Sequence, residues 1–134
     1  MGLEVLFAAI YVIAAGVSLW SRAQVHAFLA ETPSIRDASD LERFKELARL
    51  QMYLALSMIV LLVTGMIIGL VLIKEYGSSV LLVIILVNAV VFGLGMFHKK
   101  GEVRARNLRT ASEALATEYR RVCEAWVKKA TPDF

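Results

Sequence analysis

Charged residues are missing from three long stretches of this 134-residue sequence, Val5–Leu19, Met52–Ile73 and Val80–Phe97, and histidine is missing from them as well. Helices of these lengths can cross a hydrocarbon core about 30 Å thick, the first one with the help of its flanking residues. The lack of an intramembrane carboxylate argues against a proton or cation pump, because such pumps carry acidic groups along the ion path. The same stretches hold no ligand cluster or nucleophile–base pair that would indicate a reaction.

Cysteine and proline are also scarce. Cys123 is the single cysteine, so an intrachain disulfide is excluded and the small side chain is interpreted as a helix-packing group. The two prolines, Pro33 and Pro132, lie where helices are expected to end. Basic residues alternate with glutamates and lack interleaved aromatic residues, which argues against a surface that binds nucleic acid.

The remaining composition defines the fold class. Hydrophobic residues make up 58% of the chain, while the 20% that are charged lie almost wholly outside the three apolar stretches. This segregation is typical of membrane helices rather than of a soluble core. The sequence therefore predicts an all-α integral membrane protein, a single domain over residues 1–134, with three transmembrane helices over about residues 3–21, 51–74 and 79–98.

Lysine and arginine are unevenly distributed around the spans. None of the 15 precedes the first span, five lie between Arg22 and Arg49, only Lys74 separates the second and third spans, and nine follow Phe97. Cytoplasmic flanks collect these residues, so we expect an outside N-terminus and a cytoplasmic C-terminus, in a plasma membrane or bacterial inner membrane. Met1–Glu4 carries no basic residue, which favours a retained anchor over a secretory signal.

The second and third helices are expected to extend into the cytoplasm. A connector over residues 31–39 ends in a capping-box pattern, Ser39 to Glu42, where the second helix should begin. An amphipathic helix over about residues 101–130 should continue the third span, because no capping residue stands beside Gly101. Apolar residues at helical spacing in both extensions predict a packed bundle or a partner-binding stripe. These are Leu41, Phe44, Leu108, Leu115, Tyr119, Val122 and Trp126.

Small residues four positions apart occur in both later spans, as Gly65 with Gly69 and as Ala89 with Gly93. Such pairs let helix backbones approach closely in a membrane. They predict a helix-packing interface, and two interpretations stay open. The interface joins either the two spans of one chain or two separate chains.

Thr64 and Asn88 are the most polar groups near the middle of the membrane. If the second and third spans form an antiparallel hairpin about Gly77, the two side chains lie at similar depth. They would then either line a narrow polar path in an oligomer or bond to each other and to nearby backbone.

Histidines and basic residues gather at the predicted cytoplasmic boundary. His26 and His98 lie on the first and third helices, and two imidazoles on facing helices can ligate a haem iron. No further histidine completes a metal site, so apart from this alternative no cofactor is expected. Basic residues at the same level are expected to contact anionic lipid headgroups. These are Arg22, Arg49, Lys99, Lys100 and Arg104.

The sequence therefore predicts a non-enzymatic small membrane subunit or scaffold, which assembles with other membrane chains or with copies of itself. A homo-oligomeric channel or pore lined by the second and third spans is the alternative, and a bis-histidine haem-binding redox subunit is the third. The absence of intramembrane charge favours the first of these functions.

Overall fold

A computed structural model describes residues 2–129, 131, 132 and 134 of the chain. Within this part the structure consists of four helices, α1 (Leu3–Glu31), α2 (Ala38–Tyr76), α3 (Ser79–Ala105) and α4 (Glu113–Lys128). The helices α1, α2 and α3 are each long and apolar enough to cross a membrane. The predicted all-α class with three potential membrane spans is confirmed.

The start of α2 differs from the predicted capping box. Asp37 is the N-cap, and its Oδ1 accepts a hydrogen bond from the backbone N–H of Asp40 at 2.9 Å. Because Asp37 already satisfies this free N–H, the helix begins at Ala38, before the predicted cap at Ser39. Glu42 instead accepts a hydrogen bond from Lys45 at 3.2 Å.

The predicted continuous helix over residues 101–130 is replaced by two helices. α3 ends at Ala105 and α4 begins at Glu113, while Ala130 lies outside the described residues. Ser112 is the N-cap of α4, and its Oγ accepts from the backbone N–H of Leu115 at 3.3 Å. The break between the two helices therefore lies beyond Gly101, and Ser112 is the residue that caps the second helix.

A clasp between two connectors explains this break. The backbone N–H of Ile35, in the α1–α2 connector, donates to the carbonyl oxygen of Arg109 at 2.7 Å. The carbonyl of Ile35 accepts from the N–H of Ala111 at 2.9 Å, so that Ile35 and Thr110 form a parallel β-bridge. These bonds replace helical bonds over the α3–α4 connector, and the Ile35 side chain is fully buried beneath them.

In the part of the molecule that contains the three apolar stretches, α1 is the central helix. This helix packs against both α2 and α3, which contact each other less extensively. We call the buried residues of this part the membrane cluster. They are Phe7, Ile10, Tyr11, Ile68, Leu72 and Val91.

A second hydrophobic core lies at the end of the molecule that carries α4. Phe44 is fully buried at its centre, with its ring centroid 4.6 Å from that of Tyr119, 5.9 Å from Trp126 and 6.0 Å from Phe28. All seven residues of the predicted apolar stripe belong to this core or pack against it. We call its buried residues the basal cluster. They are Val25, Phe28, Ile35, Leu41, Phe44, Leu47, Ala48, Ala105, Tyr119 and Val122.

Polar contacts attach α4 to α2 and α3. The Tyr119 hydroxyl donates to the carbonyl of Ala105 at 2.5 Å, and Lys45 pairs with Glu118 at 3.1 Å. Arg121 and Lys45 hold the pKa of Glu118 below its usual value, so this carboxylate stays charged at neutral pH. Burial raises the pKa of the Cys123 thiol to about 11, as expected for a packed and unreactive cysteine.

Candidate functional site at the junction of the three long helices

Four polar side chains meet where α1, α2 and α3 enter the basal end of the molecule. Ser21 of α1 donates through its Oγ to Oε1 of Gln51 on α2 at 2.5 Å. The Nε2 atom of His98 on α3 lies 3.1 Å from Ser21 Oγ, 2.9 Å from Gln51 Oε1 and 2.9 Å from Glu102 Oε1. The Gln51 amide nitrogen also donates to the backbone oxygen of Ser21 at 3.1 Å. We call these four residues the polar junction.

The contacts of His98 determine which ring nitrogen carries a proton. The amide oxygen of Gln51 can only accept hydrogen bonds, so the hydrogen between it and His98 is carried by Nε2. The other nitrogen, Nδ1, is buried and has no hydrogen-bond partner among the described residues. His98 is thus fixed at one edge of its ring only.

The polar junction contains serine, histidine and glutamate, which are also the components of a hydrolytic triad. A triad uses both ring nitrogens, with the serine at one and the carboxylate at the other. Here Ser21 and Glu102 contact the same atom, Nε2 of His98, and the Ser21 hydroxyl donates to Gln51. Ser21 and Gln51 are also buried, so the arrangement is suited to joining helices rather than to activating a nucleophile.

The sequence singled out His98 but not its three partners. Ser21 follows Trp20, Gln51 precedes the second apolar stretch, and His98 follows the third, so all three stand at one membrane boundary. Polar residues are common at such a boundary, and therefore their types carried no signal. Matching their depth across the three helices would have found them.

His26 lies apart from the polar junction. It is exposed on α1, where its Nε2 accepts from Nε of Arg22 at 3.3 Å. At 100° per residue it points about 140° away from Ser21, the α1 residue that contacts His98. The structure therefore does not bring the two histidines together, and no group of three or more potential metal ligands occurs among the residues it describes.

The two small-residue pairs have different surroundings. Gly65 and Gly69 are buried on α2, where a Cβ at Gly65 would lie 2.8 Å from Cε2 of Tyr11 on α1. A Cβ at Gly69 would lie 3.2 Å from Cδ1 of Ile84 on α3 and 3.4 Å from Cε2 of Phe7 on α1. Within the chain, Gly65 therefore admits α1, and Gly69 admits both α1 and α3. Ala89 is exposed on α3, and a Cβ at Gly93 would meet nothing within 4 Å.

The two mid-membrane polar groups do not face each other. Thr64 is exposed, and its hydroxyl donates to the carbonyl of Val60 in its own helix at 2.8 Å. Asn88 accepts from the Tyr11 hydroxyl at 3.0 Å and donates to the carbonyl of Ile84 at 2.8 Å. Asn88 therefore joins α3 to α1, and a polar path through both residues stays a prediction.

The predicted lipid-contacting residues form a basic belt at the level of the polar junction. All but one are exposed. Arg49 is half-buried, because it donates to the backbone oxygen of Phe134 at 2.7 Å and lies over the Phe134 ring. The exposed members are Arg22, Lys99, Lys100 and Arg104.

Comparison with known proteins gives no match: no family model fits the sequence, and no curated protein or solved structure is significantly similar to it. The function is therefore inferred from the residues and contacts of the chain itself.

The polar junction should be a stabilising link between the helices. Gln51→Leu removes the acceptor for Ser21 and one acceptor for His98, leaving buried polar groups unpaired, so we expect a loss of about 1–3 kcal/mol in the free energy of unfolding. Thermal unfolding of the purified protein in detergent measures it. Gln24→Leu is the matched control, because Gln24 is half-buried without a hydrogen bond to any described residue. Equal stability of the two variants would contradict the role of the junction.

Proposed function

We propose that the protein is a non-catalytic membrane subunit or scaffold, which holds another membrane chain or a second copy of itself against one face of α3. The observation that carries this proposal is the position of Ala89 and Gly93. At 100° per residue each of them points about 160° away from Val91, the buried residue of α3 in the membrane cluster. We call this side the outer face of α3. This face consists of the exposed Leu82, Leu86, Ala89 and Met96 together with Gly93, which is half-buried.

The shape of the outer face supports a helix as its partner. Two small residues lie between exposed large ones, with Leu86 57% and Met96 72% exposed, so a neighbouring helix can approach the backbone at Ala89 and Gly93. Close approach of this kind drives association in lipid, where apolar surface alone gives no preference for a protein neighbour.

The contacts at the basal end of the molecule are consistent with this role, because they hold α3 in place. Ser21 and Gln51 hold His98 near the end of the membrane-spanning part of α3, and Tyr119 holds the end of the helix at Ala105. We further propose that this end and α4 lie in the cytoplasm, on the distribution of lysine and arginine around the spans. The protein then presents a rigidly anchored helix to its partner from within the bilayer.

Replacement of Gly93 should abolish the association. A leucine at this position holds the partner backbone away from α3, so we expect Gly93→Leu to reduce the mass of the mildly extracted particle to that of one chain. Light scattering with detergent subtraction measures the mass. Gly16→Leu is the control, because a Cβ at Gly16, like one at Gly93, would meet nothing within 4 Å, but Gly16 lies on α1.

Three outcomes are informative. A heavier wild-type particle that loses only unrelated chains in Gly93→Leu supports a hetero-complex, and one that loses copies of this chain supports self-assembly. A wild-type particle of one chain, or one whose mass is the same in all three proteins, would contradict the proposal.

A further inference from the structure

A groove of about 410 Å³ lies between α2, the last turns of α3 and α4. One wall is apolar and belongs to the part of α2 within the predicted span, with Ala55, Leu56 and Ile59. The opposite wall carries Lys99 of α3 and Arg106, the residue that caps the end of α3. The groove therefore changes from apolar to basic where the chain leaves the membrane.

The basic wall is only partly neutralised by the protein. Glu102 lines the groove between the two cations, but it already contacts His98 at 2.9 Å. Arg106 is positioned by a 3.4 Å bond from its Nε to the carbonyl of Glu102 and by Trp126, whose ring centroid lies 5.8 Å from Cζ. Lys99 is exposed and forms no hydrogen bond or ion pair with any residue that the structure describes. Both cations can therefore receive an anion.

A second groove, of about 340 Å³, also ends at Lys99. It is almost wholly apolar and runs along α3 past Phe92 and Gly95 toward Val91, facing Met58 and Leu62 of α2. Lys99 lies eight positions after Val91, which corresponds to about 12 Å of helix. Lys99 thus stands where an apolar groove in the membrane meets the basic groove at its boundary.

We propose that these two grooves form a binding site for one anionic glycerophospholipid from the leaflet nearest α4. The phosphate lies at Lys99 and Arg106, and an acyl chain lies in the apolar groove that passes Gly95. Charge complementarity selects an anion, and the planar guanidinium of Arg106 matches phosphate oxygens. A groove opening to the hydrocarbon selects a lipid tail over a soluble phosphate. The exposed Lys100 and Arg104 line a further groove with Met96 and Val103, but this groove does not pass Gly95 toward Val91, so these two cations contribute general attraction to the surface.

The test is native mass spectrometry of the full chain, delipidated and then titrated with phosphatidylglycerol or with phosphatidylcholine. A basic residue that acts only by general attraction to an anionic surface contributes about fivefold to association, so its removal should cost about that much. We expect Lys99→Gln to lose more than tenfold of the phosphatidylglycerol affinity and its neighbour Lys100→Gln to lose about fivefold or less. Equal losses in the two variants, or equal binding of the zwitterionic lipid to the wild type, would overturn the site.

Filling the apolar groove tests the acyl chain without changing any charge. A Cβ at Gly95 meets nothing within 4 Å, so Gly95→Leu should fold while its side chain occupies the groove. We expect more than a tenfold loss of bound phosphatidylglycerol, with thermal unfolding as the check on folding and Gly16→Leu as the control. Undiminished lipid binding in folded Gly95→Leu, or binding of glycerol phosphate as tight as that of the lipid, would overturn the assignment of a lipid.

Discussion

Replacing Phe44 with alanine is expected to lower the free energy of unfolding by about 3–5 kcal/mol, as for other fully buried aromatic residues. Phe44 has no exposed surface and contacts aromatic rings from α1 and α4, so its removal leaves a cavity that several elements share. Because helices are rigid, α1, α2 and α4 cannot all move inward to fill this cavity. The basal cluster should loosen first at α4, which packs mainly on α2.

Hydrogen exchange in detergent resolves this effect along the chain. Amides of α4 should exchange faster in Phe44→Ala, and thermal unfolding should begin at a lower temperature. Tyr53→Ala is the matched control, because Tyr53 is an aromatic residue of the same helix that is 56% exposed. If α4 exchanges at the same rate in both variants, the basal cluster does not hold α4 in place.

A leucine at Gly65 should produce the second large effect. A Cβ there would lie 2.8 Å from Cε2 and 3.3 Å from the hydroxyl oxygen of Tyr11, so a larger side chain must displace α1. Overpacking of this kind costs about 1–3 kcal/mol. The displacement also breaks the hydrogen bond from Tyr11 to Asn88, which leaves the side-chain oxygen of Asn88 without its donor in apolar surroundings.

Gly93→Leu is the control for this substitution, because the same change on α3 meets open space. Thermal unfolding of single-chain particles in detergent should show a lower midpoint for Gly65→Leu and an unchanged one for Gly93→Leu. Equal midpoints would mean that Gly65 does not admit α1. The two variants together separate packing within the chain from assembly between chains.

The fold was predictable from the sequence where one physical requirement dominates. The hydrocarbon excludes charge, so the gaps between charged residues locate the three spans. The α3–α4 break was not predictable in this way, because it depends on backbone bonds between Ile35 and the distant Arg109 and Ala111. Periodicity reports only local neighbours, and Leu108 fits a helical stripe although it lies in a connector.

The candidate site was predictable in type but not in arrangement. The hairpin about Gly77 predicted that Thr64 and Asn88 lie at similar depth, but it does not give the rotation of each helix, which turns Thr64 outward and Asn88 toward Tyr11. Because the sequence does not give the rotation of each helix about its axis, two interpretations stayed open for both small-residue pairs. His98 stood out as a rare residue type, whereas Ser21 and Gln51 gain meaning only from the helices opposite them.

The clasp at Ile35 constrains the order in which the chain can mature during translation. Ile35 leaves the ribosome early, but Arg109 and Ala111, which complete its backbone bonds, follow only after α2 and α3 have been synthesised. Phe44 likewise cannot pack against Tyr119 until α4 has been synthesised. Both apolar helices are therefore synthesised before the basal cluster can form, and until then its apolar residues are exposed to aggregation and to chaperones.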